Sequence, residues 1–128
     1  MKLIWIGAGG AFGSLARYLL DGWIQGLHRG GYPLGTLAIN ALGSFLIAAL
    51  LPLAEARGLM DSTLRVALTV GVLGGFTTYS SFNQQTLDLC RAGSWLSGAG
   101  YVGATLASCL VAGVAGSFAG RGLAGGAG

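Results

Sequence analysis

The chain is 128 residues long, 53% hydrophobic and only 9% charged, with a formal net charge of +3. Soluble domains are about a quarter charged, so a water-soluble globule of this size could not cover its surface, and the bilayer is the alternative solvent. The basic residues Lys2, Arg17, Arg29, Arg57, Arg65, Arg91 and Arg121 are scattered, which excludes a nucleic-acid footprint. Cys90, Cys109 and the single His28 lack metal-ligand spacing, which excludes a zinc site.

A membrane helix needs about 20 mostly apolar residues, and four stretches meet that need. The first is placed at 3–24 and is the only one interrupted by charges, at Arg17 and Asp21. Its opening, Lys2 followed by an apolar run to Ala16, also has the form of a signal peptide. Cleavage there would discard Gly9, Gly10 and Gly13, which read as helix-packing glycines, so the segment is taken as a retained span. The others are placed at 32–54, 63–88 and 94–120. A Gly/Ala tail from Gly122 to Gly128 is expected to fray. Short connections leave no room for a soluble domain. Trp5, Tyr18, Trp23, Tyr32 and Trp95 fall near span ends, where amphipathic rings favour the interface. The 25 glycines follow no three-residue period and suit close helix approach in lipid.

Four spans bring both termini to one side. That side holds Lys2, Arg57, Arg65 and Arg121, and the other holds Arg29 and Arg91 with Arg17 close by. Basic residues mark the cytoplasmic face, and here the bias is weak. Two readings follow: ordinary insertion with a small preference, or insertion of copies both ways with antiparallel pairing. Four helices cannot readily enclose a path and bury their own polar groups, so an oligomer is expected, a two-fold dimer being the commonest kind.

Span three reads Gly71-Val72-Leu73-Gly74-Gly75-Phe76-Thr77-Thr78-Tyr79-Ser80-Ser81-Phe82-Asn83-Gln84-Gln85-Thr86. Gly74-Gly75 followed by Thr77-Thr78 is poor helix material in mid-span. A break here frees backbone groups, which is tolerated at membrane depth only against protein or a wet cavity, and freed carbonyls suit a cation. The alternative is a continuous helix with a small-residue packing face. Tyr79 and Phe82 share a face if helix resumes after the break. Their positive ring edges either line an anion path or simply pack. Ser80 and Ser81 add hydroxyl donors.

Asn40, inside span two, either bonds a neighbouring helix or offers its amide N–H groups to an anion. In span four Tyr101, Thr105 and Ser108-Cys109 recur at helical turns and form a polar track, unless the hydroxyls bond back to their own backbone. Arg17 either snorkels to the interface or concentrates anions in a vestibule, with Asp21 four residues on as its pairing partner.

These segments resemble the CrcB/Fluc fluoride channels over essentially the whole chain. The resemblance is carried by Gly9-Gly10-x-x-Gly13-x-x-x-Arg17-Tyr18, by Gly35-Thr36-Leu37-x-x-Asn40 and, most specifically, by Gly71 to Phe82. It implies an all-α membrane fold of four transmembrane helices with a broken third helix, assembled as an antiparallel dual-topology homodimer with two fluoride pores. It further implies a structural sodium ion (Na+) at the dimer centre, held by backbone carbonyls that map to Gly74 and Thr77. Pore positions map to Asn40, Tyr79, Ser80, Ser81, Phe82, Tyr101, Thr105 and Cys109, with Ser108 as the alternative to Cys109.

The chain departs from the family pattern in three places: Tyr79 stands for the usual Phe, Gln85 for a frequent acid, and Cys109 for a hydroxyl, a weaker donor. The implied activity is passive fluoride export from the cytoplasm across the bacterial inner membrane, with no enzymatic step. Two rivals are a small dual-topology proton-coupled multidrug exporter, which needs a membrane-embedded acid, usually a glutamate in span one, where this chain has no Glu and Asp21 only near the end, and an assembly subunit of a larger membrane complex.

Overall fold

The computed structural model describes residues 1–28, 30–58 and 61–125. All secondary structure among these residues is helical. Helix α1 covers Lys2–Leu27, α2 covers Leu34–Ala56 and α6 covers Trp95–Gly125. These three are continuous, long and apolar enough to cross a membrane. The segment between α2 and α6 is divided. It comprises α3 (Ser62–Val66), a π-helical stretch (Ala67–Leu73), α4 (Gly74–Phe76) and α5 (Tyr79–Arg91), with extended backbone at Thr77 and Thr78.

Local chemistry sets the ends of these pieces. The Asp61 carboxylate caps α3, accepting from the backbone N–H of Thr63 at 2.8 Å and Leu64 at 2.7 Å. Thr78 caps α5, its hydroxyl accepting from Ser81 N–H at 3.2 Å. Beyond Arg91 the chain turns through Gly93 at φ +85°. Gly93 N–H reaches the Cys90 carbonyl and Ser94 N–H the Leu89 carbonyl, the paired bonds of a Schellman stop, whose left-handed position suits glycine. The expected frayed tail is helical over Gly122–Gly125, because α6 runs through it; residues 126–128 lie outside the described residues, as does Arg29 of the charge count.

The helices pack backbone to backbone. A β-carbon on Gly116 would strike the Phe45 carbonyl, and one on Gly120 the Ala49 carbonyl, so α6 lies directly on α2 along Gly113, Gly116 and Gly120. On the other side α1 meets the π-helical stretch and α4: a β-carbon on Gly9 would come to 2.9 Å from the Ala67 oxygen, and one on Gly75 to 2.6 Å from the Gly10 oxygen. Such approach suits lipid, where van der Waals contact replaces the hydrophobic drive between helices.

The large apolar side chains mostly face outward. Leu3, Ile4, Phe12, Leu15, Leu110, Val111 and Phe118 are exposed, while among the described residues the buried apolar core is limited to Ile39, Leu73, Phe76, Phe82 and Tyr101. An exposed apolar surface of this extent matches a hydrocarbon solvent and not water. The protein is a multi-pass integral membrane protein.

Candidate ion pathway

The break in the third segment lies at Thr77-Thr78, the second of the two pairs read as poor helix material. Gly74 and Gly75 stay helical, and the small size of Gly75 serves the approach of α1. Thr77 is pinned against α2, since a β-carbon on Gly43 would collide with the Thr77 methyl. Thr78 is held by Asn40, 38 residues away. Asn40 Nδ2 donates to the Thr78 carbonyl at 3.1 Å, and Thr78 N–H donates to Asn40 Oδ1 at 2.8 Å. The side-chain amide thus behaves as a substitute peptide group, satisfying both backbone groups of one residue in the break. One of the two N–H donors offered by Asn40 is consumed in this way, and one remains.

This pairing releases carbonyls. In a continuous helix Thr78 N–H would bond the Gly74 carbonyl, and Ser81 N–H the Thr77 carbonyl. Here they go to Asn40 Oδ1 and Thr78 Oγ1 instead. The intervening Gly75 carbonyl accepts from Arg17 Nε at 3.2 Å and Ser14 Oγ at 3.5 Å. Arg17 is therefore half-buried against the break and does not snorkel. Nor does it pair with Asp21: the ion pairs among the described residues are Arg65–Glu55 and Arg91–Asp88. The Asp21 carboxylate instead lies over Gly35, in the first turn of α2, where a helix favours negative charge.

A cavity of about 460 Å³ opens beside the break, between α2, α5 and α6. Asn40, Tyr79, Phe82, Thr105 and Cys109 line it, together with Gly74, Thr77 and Thr78. No lining residue carries a charge. Phe82 is 8% exposed, and its ring centroid lies 5.7 Å from Tyr79 and 5.4 Å from Tyr101. Tyr79 is 77% exposed and closes no wall by itself. Thr105 is 4% exposed, and its Oγ1 has no hydrogen-bond partner among the described residues. Cys109 continues this face, whereas the neighbouring Ser108 hydroxyl turns back to the Ala104 carbonyl at 2.6 Å.

Three expected positions fall elsewhere. The Ser80 and Ser81 hydroxyls cluster with Thr78 Oγ1, at 3.3 and 3.0 Å, at the start of α5 and do not line the cavity. Tyr101 lies behind the wall, fully buried, its hydroxyl donating to Gln85 Oε1 at 2.9 Å. Tyr32, read as an interface ring, stands edge-on to Tyr101 at 5.5 Å and 87°. Sequence reasoning named Thr78 only as part of the break, not as the partner of Asn40, and did not single out Ser14, nor Gln85 as a hydroxyl acceptor; nothing local marks these two.

A cavity with no charged lining residue, bounded by a broken helix, by Phe82 and Tyr79 and by Thr105 and Cys109 of α6, defines a small helical membrane protein with an internal cavity beside a helix break. A sequence profile of the family described as CrcB-like protein, Camphor Resistance (CrcB), matches residues 4–117. The chain is 48% identical over 122 residues to a protein of Sorangium cellulosum named fluoride-specific ion channel FluC, covering 95% of this chain and 96% of that one. It is 45% identical over 114 residues to a protein of the same name from Geobacter sulfurreducens, covering 89% and 92%. A Thermus thermophilus protein of that name is 48% identical over 92 residues, 72% of each chain. The chain belongs to the CrcB family of membrane proteins.

Proposed function

We propose that this protein is a passive fluoride channel that exports fluoride from the cytoplasm across a bacterial inner membrane. The observation that carries the reading is the conjunction, around one cavity with no charged lining residue, of Asn40, Thr105, Phe82 and Tyr79 beside a helix break. Fluoride is small and strongly hydrated, so a path must replace its water with several donors, while a full positive charge would hold it too tightly. Hydroxyl and amide N–H groups donate, and ring edges carry partial positive charge. Hydrogen fluoride enters cells as a neutral acid and dissociates inside. Outward flow of the anion is then favoured by the interior-negative potential, at about 2.3 kcal/mol per charge per 100 mV.

The working unit is an antiparallel homodimer with one path per subunit. In the single chain α5 exposes Ser80, Asn83 and Gln84, a polar face that lipid could not solvate and that a second copy or an aqueous vestibule would cover. The weak charge bias permits insertion in both directions. A sodium ion at the dimer centre fits this chain. The Gly74 and Thr77 carbonyls have both lost their helical donors, and oxygen donors suit a hard cation. When bound, the ion would supply positive charge to join the two breaks. Arg17, on the Gly75 carbonyl between them, holds the break and faces the anion entry.

The test is efflux from liposomes containing the purified protein. Fluoride release with no proton gradient, and without matching chloride release, is expected. Release that requires a proton gradient would indicate an exporter, and no release from well-folded dimer would indicate an assembly subunit.

A further inference from the structure

We propose that Asp21 limits how firmly this path holds an anion, its carboxylate opposing fluoride where the path passes Tyr101. The inference rests on the channel reading above and adds to it a charge that stands outside the cavity wall. The cavity beside the break meets Tyr101 through Phe82, whose ring lies 5.4 Å from the Tyr101 ring. Tyr101 is bonded in turn to Gln85, and Gln85 lines a second hollow of about 300 Å³ with Gly31, Pro33 and Asp88. An ion leaving the first cavity for the second therefore passes the level of Tyr101 and Gln85. Tyr101 is fully buried there, with Thr36 and Thr105 against its hydroxyl and Tyr32 edge-on at 5.5 Å.

Helix α1 delivers Asp21 to this level. Gln25 ties α1 to the start of α2, donating to the Tyr32 carbonyl at 3.2 Å and accepting from Gly35 N–H at 3.5 Å. One turn earlier on α1, the Asp21 carboxylate lies over Gly35, within electrostatic range of the Tyr101 hydroxyl. The Gly35 N–H already has Gln25, so Asp21 is not required as its cap. Among the described residues no cation pairs with Asp21. Arg17 is engaged by the Gly75 carbonyl, and Asp88, the carboxylate on the second hollow, is matched by Arg91 at 3.4 Å. Helix α1 thus sets a positive charge at the break and a negative one about 6 Å further along its axis. The first draws an anion in and the second keeps it from settling at the Tyr101 end; conduction needs both entry and release.

The test is fluoride efflux from liposomes over a series of fluoride concentrations, with thermal unfolding of each variant measured in detergent. Asp21→Asn removes the charge and keeps the shape. Unit charges about 10 Å apart, between effective dielectrics of 80 and 20, change an affinity by roughly 2- to 15-fold. Asp21→Asn is expected to lower the half-saturating fluoride concentration by such a factor, and Asp21→Glu to leave it unchanged. Gln85→Glu keeps an acceptor for the Tyr101 hydroxyl and adds a carboxylate at the same level. Combined with Asp21→Asn it should restore the wild-type value. Alone it should raise half-saturation above wild type, a result that tests the idea even if Asp21→Asn does not fold. A role confined to holding the start of α2 would show as a lower melting temperature in Asp21→Asn with unchanged half-saturation, and would overturn the proposal. So would a fall in half-saturation that Gln85→Glu does not reverse. Absence of efflux from the wild type is a failure of the channel reading; normal wild-type efflux with no shift in Asp21→Asn removes the role of Asp21 alone.

Discussion

Replacing Asn40 by alanine tests whether its amide holds the break or only offers donors to the ion. The substitution removes two hydrogen bonds at once, to the Thr78 carbonyl and from the Thr78 N–H. A buried backbone group left without its partner costs about 1–3 kcal/mol. Both bonds are only partly buried and water in the adjoining cavity can compensate in part, so the low end applies, about 2–3 kcal/mol for the pair. Asn40→Asp makes the complementary change. It keeps the acceptor for Thr78 N–H, but sets a carboxylate oxygen against the Thr78 carbonyl and adds a negative charge to the cavity. At a separation of about 4 Å and an effective dielectric of 20, that charge would oppose an anion by about 4 kcal/mol, roughly three decades in rate. The assays are thermal unfolding of the detergent-solubilised dimer and initial fluoride efflux from liposomes. Alanine is expected to lower both stability and efflux, and aspartate to abolish efflux. An alanine variant that loses efflux at wild-type stability would refute the structural role of the amide. An aspartate variant with normal efflux would remove Asn40 from the path.

Thr105→Val is expected to reduce efflux while leaving stability unchanged or raised, because it deletes a buried hydroxyl that has no protein partner; a marked fall in melting temperature would mean the hydroxyl is paired within the protein. Phe82→Ile should abolish flux with the dimer intact by size-exclusion chromatography, and near-normal flux would take Phe82 out of the path. Gly116→Ile places a side chain against the Phe45 carbonyl and should destabilise by at least about 1–3 kcal/mol, as overpacking does, measured by thermal unfolding; wild-type stability would contradict the α2–α6 contact.

The membrane character was legible because composition and span length depend only on the chain itself. A break within Gly74-Gly75 and Thr77-Thr78 was legible, but which of the two pairs leaves the helix was not. Glycine lowers helix propensity, yet Gly75 is held helical by contact with Gly10, and the chain leaves the helix where Asn40 takes over the Thr78 backbone. That contact spans 38 residues, and no local pattern encodes it. The same limit explains Arg17 and Asp21. Their four-residue spacing allowed a pair, while the Gly75 carbonyl and the start of α2 offered each a different partner. Cys109 and Ser108 were indistinguishable by spacing and are separated by the direction each faces from α6. The π-helical register of Ala67–Leu73 has no signature in its sequence; in the fold Ala67 and Val72 of this stretch lie against Gly9 and Gly13 of α1.

Anion flux through the purified chain tests the central claim most directly. Liposomes loaded with potassium fluoride and made potassium-permeable with valinomycin, with no proton gradient imposed, are followed by a fluoride electrode. The account predicts rapid fluoride release that far exceeds chloride release from matched vesicles and disappears in Phe82→Ile. Folded dimer that releases no fluoride, or releases chloride equally fast, would contradict it.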